Sequence, residues 1–171
     1  MAEKSVVGRD IEAAWLHRGV ESAAEGSARL MLMSGPAGVG KSTLLRDAAA
    51  AAGRTPLNVS FGRGYEDVDA PYNCWRELIS NIRIEQTDEL RQLDAVLSGQ
   101  REAGLSDDPR RDDFVSARGN LYHAIRSGFV DFASTTPLAL FLDDLHWADQ
   151  ASLELLTAIV HAIDDFTLLN P

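Results

Sequence analysis

Nine consecutive residues, Gly35-Pro36-Ala37-Gly38-Val39-Gly40-Lys41-Ser42-Thr43, carry the densest chemical signal in the chain. Gly35, Gly40, Lys41 and Ser42 satisfy the pattern G-x-x-x-x-G-K-[ST] without a mismatch. In such a loop the glycines allow a tight turn, so that successive backbone N–H groups point inward and cradle a polyphosphate. Lys41 would place a compact charge at the β and γ phosphates, and the Ser42 hydroxyl suits Mg²⁺. Lysine usage sharpens this reading: of 16 basic residues only Lys4 and Lys41 are lysines. A planar guanidinium would fill so narrow a cradle badly. The second half of the chemistry is expected at Asp143 and Asp144, two carboxylates that close the apolar run Leu138-Ala-Leu-Phe-Leu142. One would hold Mg²⁺ and the other would polarise a water for attack on the γ phosphate, which assigns Asp143 to the metal and Lys41 and Asp144 to catalysis.

These residues need a strand, a turn and a helix to position them. Arg29–Ser34 is apolar enough for a buried strand, and the Ala/Leu-rich stretch after Lys41 favours a helix closed at Gly53. Upstream, Asp10 could cap a helix with Ile11, Ala14, Trp15, Leu16 and Val20 on its apolar face. Leu57, Val59 and Phe61 alternate as in a second strand, and Pro71 opens a helix with Trp75, Leu78, Ile79 and Ile82 at helical spacing. Further helices are expected over residues 87–97 and 112–133, with a polar loop between them. Leu138–Leu142 reads as a strand buried on both faces. Asp149 is a plausible N-cap for a helix lined by Leu153, Leu156, Ile159, Val160 and Ile163, and Phe166–Leu169 begins a fourth strand. Strands alternating with helices give an α/β fold with a parallel sheet.

Composition narrows the function classes. A chain of 171 residues with 45% hydrophobic and 25% charged residues is globular and of single-domain size. The net charge of −10 argues against a nucleic-acid groove in this segment. No signal peptide pattern or membrane-length apolar run appears, so the expected location is cytoplasmic. Cys74 is the one cysteine and is expected to be a buried structural thiol. His146 and Trp147 either sense nucleotide or pack the turn after the aspartates, and His161 with Asp164 and Asp165 reads as solvated charge at a helix end. No [NT]-K-x-D occurs, which favours ATP over GTP.

Together, Val7-Gly8-Arg9, the loop at 35–42, Ala70-Pro-Tyr-x-x-Trp75 and Leu-Phe-Leu-Asp-Asp-Leu-His-Trp-Ala-Asp at 140–149 resemble the AAA-like ATPase domain of bacterial STAND regulators. In those proteins the domain is joined to LuxR-type DNA-binding modules, nucleotide-cyclase modules or helical repeats. The resemblance implies a three-layer α/β/α P-loop NTPase fold of the ASCE/AAA-like kind across residues 1–171. It also implies ATP and Mg²⁺ as cofactors, Val7, Gly8 and Arg9 on the adenine side, and Gly35–Thr43 on the phosphates. Its function would be Mg·ATP binding with slow hydrolysis in a signal-transduction or transcription-regulator switch, with nucleotide-dependent self-association. Asp10 stands where that family usually has glutamate. The family's fourth strand, which lies between its first and third, is longer, and a fifth strand, a lid and a winged-helix domain follow it, so an incomplete domain is expected here. A non-catalytic remnant acting through protein contacts is the alternative. A small-molecule P-loop kinase, with Arg110-Arg111 as its basic lid, is a third reading.

Overall fold

The computed structural model describes residues 8–66, 70–82, 97, 129, 133 and 137–161, and the backbone of 165–169. The expected helices over 87–97 and 112–133, the polar loop between them and the Arg110-Arg111 pair fall outside the described residues, apart from Leu97, Phe129 and Ala133. In chain order the described elements are α1 (Asp10–Ala24), β1 (Arg29–Met33), α2 (Lys41–Ala52), β2 (Asn58–Arg63), α3 (Asn73–Ser80), β3 (Leu138–Asp143), α4 (Gln150–Val160) and β4 (Asp165–Leu169). A single 3-10 turn, Leu145–Trp147, joins β3 to α4. No helix among the described residues is long and apolar enough to cross a membrane.

The strands form two parallel pairs. β1 pairs with β4 from Arg29↔Asp165 to Met33↔Leu169, and β2 pairs with β3 from Asn58↔Leu138 to Arg63↔Asp143. The β1–β4 pair is one of the two contacts that a fourth strand between the first and third implies; no ladder joins β3 to β4 among the described residues. Strand alternation then builds two cores. Ala139 and Phe141 of β3, with Val59 and Phe61 of β2, meet α1 and α2 around Leu16, Val20, Leu44, Ala48, Ala52 and Leu57. Leu138, Leu140 and Leu142 project to the other face, where Trp75, Leu78, Ile79 and Leu155 join Leu97 and Phe129. Helices on both faces of a parallel pair make the three-layer arrangement, and β3 is buried from both sides as its apolar run requires.

Several local expectations need correction. Asp10 is the first helical residue, not the cap; Arg9 takes the cap position without a side-chain capping bond to the backbone, and Asp10 and Glu12 lie in the first turn. Two carboxylates there suit the positive end of the helix dipole. Ile11 is 78% exposed and Ala14 is also exposed, so the apolar stripe of α1 starts later. On α4, Leu153 faces solvent and Leu155 is buried, whereas Leu156 and Ile159 pack against the core as expected. Gly53 does follow α2, but in right-handed backbone geometry (φ −65°), so no left-handed cap forms. Asp149 caps α4 as expected: its Oδ1 accepts from the Ser152 N–H at 2.9 Å and its Oδ2 from the Ser152 hydroxyl at 2.6 Å. Cys74 is buried, and burial pushes its thiol above the ordinary range, which keeps it protonated and inert.

Candidate functional site

β1 delivers the chain to the glycine-rich loop, and α2 leaves it at Lys41. Gly38 and Gly40 adopt φ of +79° and +92°, a left-handed backbone that costs a residue with a Cβ and costs glycine little. Gly40 is the N-cap of α2 and no side chain caps that end, so the first turn presents backbone N–H groups and the positive end of the dipole to the loop. Such a helix start suits an anion. Lys41 folds back across it, donating from Nζ to the carbonyl oxygens of Gly35 and Pro36 at 2.8 Å each. The ammonium is thus held at the cradle by two backbone carbonyl oxygens. Pro36, Ala37 and Thr43 are exposed, while Gly35, Val39 and Ser42 are half-buried.

The period of β3 places Asp143. Counting by twos from Ala139 and Phe141, its side chain falls on the α2 face, toward the loop. Ser42 Oγ donates to Asp143 Oδ1 at 3.1 Å across 101 positions of sequence, and the Asp144 N–H donates to the same oxygen at 3.0 Å. Asp143 is only 6% exposed, and its Oδ2 has no hydrogen-bond partner among the described residues. A buried carboxylate oxygen left unpaired is costly and rare. An oxygen of this kind beside a serine hydroxyl would suit a hard cation such as Mg²⁺, which takes few protein ligands when phosphates and waters complete its shell. No cluster of three or more histidine, cysteine or acidic groups that could hold a metal occurs among the described residues. His146 and Trp147 are both exposed on the 3-10 turn, their rings 4.9 Å apart.

Asp144 lies just beyond the strand with φ +52°, a conformation rare for a residue with a side chain. Its Oδ2 accepts from Arg63 Nε at 2.8 Å and from Arg63 Nη2 at 2.5 Å. The arrangement holds the Arg63 guanidinium above its ordinary pKa, first through the hydrogen bond to Asp144 and then through its charge. Arg63 gave no signal in the sequence, because an arginine at a strand end in an arginine-rich chain looks like any other. Only the pairing of β2 with β3 brings it opposite Asp143 and next to Asp144.

On the other flank, Gly8 has φ +79° and Arg9 Nη1 donates to Glu12 Oε1 at 2.7 Å. Val7 lies outside the described residues. The structure therefore joins Ser42, at the end of the loop, to Asp143, while the Asp144 carboxylate pairs with Arg63 and the described partner of Arg9 is Glu12 on its own helix. A cavity of about 350 Å³ lined by Trp15, Gly19 and Met31 opens beside β1 and includes no loop residue, so its place in the chemistry is not that of the phosphate site.

No curated protein and no solved structure matches the chain. A family match does exist, to the AAA ATPase domain, over residues 5–168. That span includes the loop, both aspartates and all the described strands except the last residue of β4. A P-loop NTPase fold of the α/β kind and a capacity for nucleotide come with that family. The chain belongs to the AAA ATPase domain family.

Proposed function

We propose that this domain binds Mg·ATP and hydrolyses it slowly as the nucleotide switch of a STAND-type signalling ATPase. One observation carries the proposal: the buried, unpartnered Oδ2 of Asp143 beside the Ser42 hydroxyl at the mouth of a glycine loop. In this reading the loop amides and the α2 dipole take the phosphate charge, and Lys41 exchanges its two carbonyl partners for β and γ oxygens. Ser42 and Asp143 would hold Mg²⁺, which when bound neutralises charge on those oxygens. Asp144 orients the attacking water and receives its proton as the water oxygen bonds to the γ phosphorus. The bond from that phosphorus to the bridging oxygen breaks, and ADP and phosphate leave. Arg9 and Gly8, at the start of α1, are proposed to border the base. The regulator context rests on the sequence resemblance, above all the Asp-Asp-Leu-His-Trp-Ala-Asp string at 143–149.

Titration with a fluorescent N-methylanthraniloyl ATP, with and without Mg²⁺, tests the proposal against Lys41→Ala. Loss of the ammonium removes charge-assisted hydrogen bonds of about 2 kcal/mol, or roughly thirtyfold in Kd. Equal binding by both proteins overturns the reading.

A further inference from the structure

Two helices begin at the proposed nucleotide site, α1 on the base side and α2 on the phosphate side, and each holds its own end of the site. Arg9 Nη1 donates to Glu12 Oε1 at 2.7 Å, and the Arg9 carbonyl accepts from the Ala13 N–H at 2.9 Å, so Arg9 moves with α1. The Gly40 carbonyl accepts from the N–H groups of Thr43 and Leu44 at 3.1 and 3.0 Å, so the end of the glycine loop moves with α2. The distance between the base side and the phosphate side is therefore set by how α1 lies along α2.

Two kinds of contact hold these helices together. Leu16 and Val20 of α1 share a core with Leu44, Ala48 and Ala52 of α2. That contact has no preferred direction, and Ala48 and Ala52, 1% and 0% exposed, present single methyl groups, a shallow ridge that resists sliding poorly. The other contact is directional. His17 Nε2 lies 3.1 Å from Asp47 Oδ2, and an imidazole N–H donating to that carboxylate pins the two helices near their midpoints. By helix geometry the pin stands about 12 Å from Arg9 along α1 and about 9 Å from Lys41 along α2. Neither residue belongs to a motif.

We propose that His17 and Asp47 are positioning residues that fix the register of α1 on α2, and so hold the base side at the spacing from the phosphate loop that a nucleoside triphosphate requires. The proposal rests on the reading of Gly8 and Arg9 as the border of the base. Such a pin has a signature that a merely structural bond lacks. Its loss weakens a ligand that spans both ends of the site and spares one that occupies the phosphate end alone.

The test compares the full chain with His17→Ala, Asp47→Ala, the double alanine variant and His17→Gln, whose amide N–H can still donate to Asp47. Displacement of the fluorescent ATP, with Mg²⁺ present, by unlabelled ATP and by inorganic tripolyphosphate gives two dissociation constants for each protein. Thermal melts report folding. Alanine favours a helix, and Asp47→Ala carries the test if His17→Ala does not fold. The pair is partly exposed, with side chains 42% and 29% accessible, so either alanine should weaken ATP by roughly two- to fivefold. Affinity for tripolyphosphate should not change. The double variant should be no worse than the single ones, since all three remove the same bond, and His17→Gln should restore most of the ATP affinity. Unchanged ATP affinity in the folded alanine variants overturns the proposal. An equal loss for ATP and tripolyphosphate, or no rescue by His17→Gln, overturns it as well. Failure of the unaltered chain to bind the fluorescent ATP is a different result: it removes the ATP reading itself, and this proposal with it.

Discussion

At the scale of single residues, the site is two carboxylates with opposite surroundings. Asp143 is buried and short of partners, whereas Asp144 is half-buried and held by an arginine. That contrast makes a prediction about charge. Replacing Asp143 by Asn removes a buried anion and keeps its shape, and a neutral amide costs less to bury than a carboxylate. The variant should melt higher without nucleotide, by an equivalent of about 1 kcal/mol, and should lose the Mg²⁺ dependence of nucleotide binding. Thermal melts and titrations with and without Mg²⁺ check both halves; a lower melt with Mg²⁺ dependence intact contradicts the cation role. Gly35 to Thr43 and Asp143 stand out in the sequence because a local pattern carries the chemistry proposed for them. Arg63 and Glu77 were illegible for the opposite reason. Their contacts reach across 81 and 14 positions of sequence, which no spacing rule encodes.

At the scale of elements, the strands were more legible than the helix faces. β3 announced itself as an uninterrupted apolar run because it is packed from both sides, and β2 as an alternation because Ser60 and Gly62 lie against α3. The α1 and α4 stripes were misread at Ile11 and Leu153, since a helix tolerates single exposed apolar residues without penalty. The Asp149 cap was read correctly, and it links two helices. Burial alone would raise the pKa of its carboxyl. Hydrogen bonds from the Ser152 side chain and N–H, and from the backbone at Tyr72 and Asn73, outweigh that and lower it. A depressed carboxylate stabilises the fold above its unfolded pKa, near 3.9, and the contribution is lost as pH falls through the lower folded value. Asp149→Ala should cost about 0.5–2 kcal/mol at neutral pH, measured by urea denaturation. The difference between variant and parent should shrink as the pH drops below about 4; a gap that stays constant into acid excludes the charge as its source.

At the scale of the whole molecule, the proposed nucleotide site spans the two strand pairs. The loop follows β1, which pairs with β4, while Asp143 ends β3, which pairs with β2. Among the described hydrogen bonds, Ser42 to Asp143 is the link between the two halves of the site, and at 3.1 Å it is a modest one. A ligand that engages the loop on one side and Asp143 on the other therefore adds contacts between pairs that the strand ladders leave unjoined. Binding to the folded state alone stabilises it by RT ln(1 + [L]/Kd), about 2.7 kcal/mol at a hundredfold excess over Kd. For a domain of this size that corresponds to a rise of roughly 5–10 °C in the melting midpoint. Mg·ATP at that excess should give the full rise, and ATP with a chelator a smaller one at equal concentration. Hydrogen exchange locates the effect: slower exchange should appear in β3 as well as in β1 and the loop when Mg²⁺ is present. Protection confined to residues 35–43 would mean that the phosphates are held by the loop alone, with Asp143 taking no part.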